Sequence, residues 1–370
     1  MTRLNSVATA FAAAALLASS FVSADHHGGA HTSSITKIDS NEFGIDAKEI
    51  ADINAQMQAA VDGGFIAGNI LLVGNSEGVG VLETAGTQGP GQSTPMDEQT
   101  FFRIYSMTKP IVSVATMTLV EDGLLAISDP VSKYIPEFAN MTVINEETGA
   151  ITPAANEMTV QDLLTHESGL IYGIFDPESE LGKMYFQAGS LRADITALTL
   201  AQNLAALPLR FEPGTKWNYS RSTDVLGAVI EVAAGKPLDA LLNERIFAPL
   251  GMDETTFFVD VSKAARIAHP IHGEMADPTV VTPMLSGGGG LHSTTEDYVR
   301  FASMLLGGGE YNGTRILEAD TLTAMQQKFI GDSVDRSAYF YGSRGDWGLG
   351  FHLQPIPGAD NEGPFNFGWQ

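Results

Sequence analysis

The sequence predicts an α+β fold: an antiparallel sheet flanked by helices, with a mainly helical region inserted between its parts. Strand-like segments come early, a long helical middle comes next, and strand-like segments return near the end, the order expected of such an insertion. The 370 residues are 44% hydrophobic and only 17% charged, enough apolar side chain for a large core. The same pattern divides the chain into a sheet-bearing part at about 43–115 and 285–370 and a helical part at about 116–284.

At the start of the chain, Arg3 precedes an apolar, alanine-rich run over 7–22, and Val22-Ser23-Ala24 offers small residues before Asp25. Residues 1–24 therefore read as a cleaved secretory signal, too short for a stable membrane anchor, and 25–42 as a flexible polar leader. A helix is predicted over 47–61, with Ile50, Ile53, Met57 and Val61 on one face. Strands are predicted at 69–73 and 79–82, joined by a turn at 74–78. After an extended stretch at 101–105, a helix opens at Ser106 and runs to Glu121 before Gly123. Further helices are predicted at 131–135, 159–164, 198–207, 222–234, 238–246, 295–305 and 319–328, then strands at 348–353 and 366–369. Phe365 to Gln370 reads as a strand in progress with no turn, cap or closing helix after it, so the sequence given is expected to be truncated.

Composition excludes several functions. The net charge is -24, with 44 acidic against 20 basic residues, which disfavours nucleic acid or an anionic membrane surface as partner. There is no cysteine, so disulfides, thiolate catalysis and thiolate-bound metals are ruled out. His269, His272, His292 and His352 lack metal-ligand spacing, and no metal or organic cofactor is called for. Cleavage after Ala24 would leave Asp25-His26-His27, which can hold Cu(II) in a square plane of nitrogens, although a polar leader explains it as well. Gly287-Gly288-Gly289-Gly290 lacks the lysine and hydroxyl residue of a phosphate loop and reads as close backbone packing.

Two serine motifs compete for the chemistry. Gly74-Asn75-Ser76-Glu77-Gly78 fits the G-x-S-x-G nucleophile elbow, but that elbow needs a helix after it, and a strand-like segment stands there instead. Glycine, asparagine and serine are also what a hairpin turn requires, so the motif reads as a decoy. Ser106-Met107-Thr108-Lys109 sits between an extended segment and an apolar helix. Ser106 would meet the free amides at a helix start, and Lys109, one turn on, would lie on the same face. A lysine in a dry cleft loses part of its preference for charge and can take the serine proton. Spacing alone leaves a capping serine beside a surface lysine equally open.

The surrounding residues carry a resemblance. Phe102-Arg103-Ile104-Tyr105-Ser106-Met107-Thr108-Lys109-Pro110, Leu163-Leu164-Thr165-His166-Glu167-Ser168-Gly169-Leu170 and Pro213-Gly214-Thr215-Lys216-Trp217-Asn218-Tyr219-Ser220 resemble signatures of the serine beta-lactamase and penicillin-binding-protein superfamily. They are most similar to the class C branch and its family VIII carboxylesterase relatives. The resemblance implies Ser106 as nucleophile, Lys109 as base, Tyr219 as proton relay and His166 as structural. It places Trp369 at the substrate-binding position of the third family motif, and it implies that the Ser106 amide and a residue past that motif form the oxyanion hole. Arg221 stands where lactamases of the family usually carry asparagine, which leans the reading toward esters.

The resemblance thus implies a serine hydrolase working through an acyl-enzyme on small short-chain esters, exported to the periplasm or beyond from a bacterial cell. A beta-lactamase, a D-Ala-D-Ala peptidase, and a binding protein that has kept the fold and lost the chemistry stay open.

Overall fold

The computed structural model describes residues 35–339, 345–355 and 365–369. The signal at 1–24 and Asp25-His26-His27 lie outside them, as does Gln370. The chain mixes helices with short antiparallel ladders and forms two compact units. One holds the described residues up to Arg103, together with Val259–Thr279 and Ser293–Gly307; the other holds Ile104–Phe258, Val280–His292 and the described residues from Gly308 onward.

In the first unit, helix α1 (Ala47–Asp62) starts at a capping box, where Asp46 accepts from the Glu49 amide and Glu49 reaches back to the Asp46 amide. Its buried face is Ile50, Ile53 and Met57, each contributing ~1.5–3 kcal/mol on burial. That face packs on β2 (Val79–Gly86), which pairs antiparallel with β1 (Gly68–Gly74). Residues 36–38 of the expected flexible leader are structured: the Val79 amide donates to Thr36 O and the Ile38 amide to Val79 O. Ile35 is buried, which gives this stretch an apolar reason to stay.

The second unit is built on two buried helices, α2 (Thr108–Glu121) and α6 (Ser222–Ala234), which pack together. From Thr108 to Leu119 every α2 residue is buried, as is every α6 residue from Ser222 to Ile230. A helix buried all round belongs at the centre of a large core. Around them stand α3 (Val160–Thr165), α4 (Glu180–Gln187) and α5 (Ala197–Ala205). The α4 helix, amphipathic but short, was not predicted.

Toward the end of the chain, Asp346–Trp347, His352–Pro355 and Phe365–Gly368 form a three-stranded antiparallel sheet. The single strand expected at 348–353 holds only from His352; its first four residues form a tight reversal. Gly348 donates to Phe351 O, and Gly350 takes φ 87°, a conformation that breaks an extended run. Pairing of Leu353 with Phe367 and His352 with Gly368 brings Trp369 to the end of this sheet.

Candidate active site

Ser106 lies in a single 3-10 turn, Tyr105–Met107, that leads into α2. The sequence predicts an α-helix opening at Ser106; the α-helical register begins two residues later. The Met107 amide reaches back only three residues, to Ile104 O at 2.9 Å, so the first turn closes tightly. Tyr105, just before the serine, has φ 42°, a left-handed conformation that costs a non-glycine residue ~1–3 kcal/mol. The Ser106 side chain caps nothing, since α2 has no side-chain N-cap bond.

The hydroxyl instead meets two other groups. Lys109 Nζ donates to Ser106 Oγ at 3.1 Å, and the Tyr219 phenol donates to the same oxygen at 2.6 Å. Lys109 is only 1% exposed, which disposes of the surface lysine that spacing alone allowed. Burial pushes its amine down to about 7; the Asp224 carboxylate opposes that fall and the Arg221 guanidinium adds to it. The ammonium also lies 4.7 Å from the Tyr219 ring centre and 5.5 Å from that of Trp369. Trp369 stands 6.0 Å from Tyr219, ring to ring, and its indole N–H is buried without a hydrogen-bond partner among the described residues. Ser106, Lys109, Tyr219 and Trp369, drawn from distant parts of the sequence, thus meet at one place.

His166 is buried at the C-terminus of α3 with φ 61°. Its ring packs 4.8 Å from that of Tyr219, and its Nδ1 lies 3.5 Å from Ser220 Oγ. Burial, and then the Lys109 charge, holds it well below the usual histidine range, so it stays neutral. It is a wall behind Tyr219.

Sequence reasoning missed several neighbours. Gly288 O accepts from Lys109 Nζ at 2.5 Å, so the four-glycine run delivers a backbone acceptor. A Cβ on Gly288 would fall 2.6 Å from Asp224 Oδ2, which accounts for the glycine there. Asp224 is buried, and Arg221 donates to it at 3.1 Å. The Tyr172 ring lies 5.6 Å from Lys109 Nζ and 4.9 Å from the Arg221 guanidinium. Among these, the departure at Arg221 and the glycine run read as close backbone packing gave a signal; Asp224 and Tyr172 gave none.

Comparison with known proteins adds an independent line. Residues 53–370 match the family model described as Beta-lactamase. Protein Rv1367c of Mycobacterium tuberculosis is 33% identical over 312 residues, spanning 81% of this chain and 77% of its own. Esterase EstB of Burkholderia gladioli is 33% identical over 246 residues, covering 65% of this chain and 59% of EstB. Among solved structures, EstCE1, described as a hydrolase with promiscuous acyltransferase activity, superposes with a TM-score of 0.68 at 26% identity, covering 81% of each chain.

Proposed function

The chain belongs to the beta-lactamase family and is a serine hydrolase, and on that premise we propose that it cleaves small, short-chain carboxylic esters through an acyl-enzyme on Ser106. The observation that carries this reading is the Ser106 hydroxyl held between the Lys109 amine at 3.1 Å and the Tyr219 phenol at 2.6 Å. An amine lowered to about 7 is partly neutral near pH 7, so it can accept the serine proton as the oxygen attacks the ester carbonyl. The bond from Ser106 Oγ to the carbonyl carbon forms as the proton passes to Lys109, and charge collects on the carbonyl oxygen. The Tyr219 phenol stands where it can hand a proton to the departing alkoxide. Lys109 returns its proton to Tyr219 as the alcohol departs; water then attacks the acyl-serine, giving a proton to the Lys109–Tyr219 pair, and that proton passes to Ser106 Oγ as the acid leaves. Trp369 lies beside Tyr219 and Lys109, where its ring would line the place of the bound ester.

Arg221 supports esters over beta-lactams. Its guanidinium is engaged by Asp224 and by Ser190 O, and it stands in place of the asparagine that would receive a lactam amide. The signal read at 1–24 would export the protein to the periplasm or beyond. Turnover of a short-chain nitrophenyl ester compared with a chromogenic cephalosporin tests the substrate class. The ester is expected to give the higher kcat/KM by tenfold or more (~1.4 kcal/mol in transition-state binding); faster cephalosporin hydrolysis would replace this reading with a lactamase.

A further inference from the structure

We propose that Asp224 is a positioning residue for Lys109: it anchors the backbone of Gly288, the residue whose carbonyl holds the amine, and, paired with Arg221, sets the charge the amine faces. The inference rests on the reading of Lys109 as the base.

A neutral lysine amine that accepts a proton must aim its single lone pair at the serine, which means its N–H bonds must be anchored elsewhere. A carbonyl oxygen can only accept. Gly288 O, 2.5 Å from Lys109 Nζ, claims one N–H, so that once the amine is neutral its lone pair can take the place of the N–H that now points to Ser106 Oγ. The residue that bears this carbonyl is in turn held through its own amide. The Gly288 amide donates to Asp224 Oδ1 at 3.1 Å, and Ser286 Oγ donates to the same oxygen at 2.5 Å. The other oxygen, Oδ2, takes Arg221 Nη1 at 3.1 Å, and Arg221 Nη2 donates to Ser190 O. Ser286 and Gly288 thus hang from one carboxylate, and the backbone carbonyl of this segment holds the amine.

The energetics point the same way. Asp224 is 1% exposed on a helix whose other buried residues are mostly apolar. A buried ion pair is often no more stabilising than a well-packed hydrophobic replacement, so stability alone is a poor account of a carboxylate at this position. The titratable and charged groups facing Lys109 come from several elements: Asp224 on α6, Arg221 and the Tyr219 phenol just before it, the Tyr172 phenol, and His166 at the end of α3. Of these, Asp224 favours the charged amine and Arg221 disfavours it. The two members of one ion pair therefore pull the base in opposite directions.

That opposition supplies the test: the pH dependence of kcat/KM for a nitrophenyl ester in the parent, Asp224→Asn and Arg221→Gln, with thermal melts as a folding check. Activity rises with pH as Lys109 loses its proton. Asp224→Asn removes an attraction for that proton, so the acidic limb moves to lower pH; Arg221→Gln removes a repulsion, so the limb moves to higher pH. Each shift is expected to be on the order of half a unit, and Asp224→Asn also lowers kcat. A folded pair of variants whose limbs both stay at the parent position overturns the proposal, because a merely structural role lowers activity without moving the profile. If one variant does not melt cooperatively, the other decides alone. If neither does, Ser286→Ala decides: it removes one hydrogen bond from the same carboxylate, and a several-fold slower reaction of Ser106 with a fluorophosphonate is expected, an unchanged rate being contrary. Ser106→Ala measured beside them separates the two levels, since retained esterase activity there sinks the reading of the site itself, whereas its loss with unmoved limbs sinks only the role of Asp224.

Discussion

Two turns in this molecule each carry a serine, and only one has surroundings suited to chemistry. Gly74 to Gly78 carries the better-known pattern, yet it closes a hairpin: the Asn75 amide donates to Gly78 O at 2.9 Å, and the Asn75 side chain accepts from the amides of Glu77 and Gly78. Ser76 sits exposed at its tip. The turn at Tyr105–Met107 carries Ser106, with a buried amine and a phenol both within hydrogen-bonding distance. The difference lies in the element that each turn leads into. Past Ser76 comes a β-strand whose alternate residues are buried and partly exposed, while the helix past Ser106 is buried through most of its length and draws Lys109 into the core behind it. Desolvation then does to Lys109 what no local sequence pattern can do, bringing an amine near neutrality at ordinary pH.

The contrast breaks most readily at the two partners of Ser106. Lys109→Met keeps the length of the side chain and removes the amine, and it is expected to lower kcat/KM for esters by about 10²–10⁴-fold. Tyr219→Phe keeps the ring against His166 and Trp369 and removes only the hydroxyl, for a loss of about 10²-fold. Steady-state turnover on folded protein checks both, and near-parent activity in either would mean that the two hydrogen bonds to Ser106 are incidental.

A smaller effect sharpens the contrast from the structural side. Glu167 lies beside His166, 5% exposed, and has one carboxylate oxygen without a hydrogen-bond partner among the described residues. Burial pushes its carboxyl up to about 7. A carboxyl raised on folding supports the fold fully below its unfolded value, and that support is lost as pH rises through about 7. Glu167→Gln is therefore expected to raise Tm at pH 8 by a few degrees relative to the parent and to leave it nearly unchanged at pH 4. Equal Tm differences at the two pH values would show that folding does not raise the Glu167 carboxyl.

Much of this was legible in the residues. The helix over 222–234 has the bounds its sequence predicts, and α1 agrees to within a residue, because their apolar positions repeat with helical spacing and their ends carry a cap or a glycine. The hairpin at Ser76 was legible for a related reason, since turn chemistry is local. Other features depended on distant partners or on single dihedrals. The split of the predicted strand at 348–353 arises from one glycine's φ, and the 3-10 start of α2 from a carbonyl three residues back. Asp224 could not have been singled out, and Gly288 stood out only within a glycine run read as close backbone packing, because both acquire their roles only when α6 and that run pack together. The meeting of Ser106 with Lys109 was readable from a spacing of three, but that with Tyr219, 113 residues on, was implied only by the family pattern.

The most direct measurement is the mass of the peptides from the protein after exposure to a fluorophosphonate. A single adduct on the peptide bearing Ser106, absent from Ser106→Ala and unaffected by Ser76→Ala, is the expected result. An adduct on Ser76, or labelling that survives in Ser106→Ala, would contradict the claim that the buried amine selects the nucleophile.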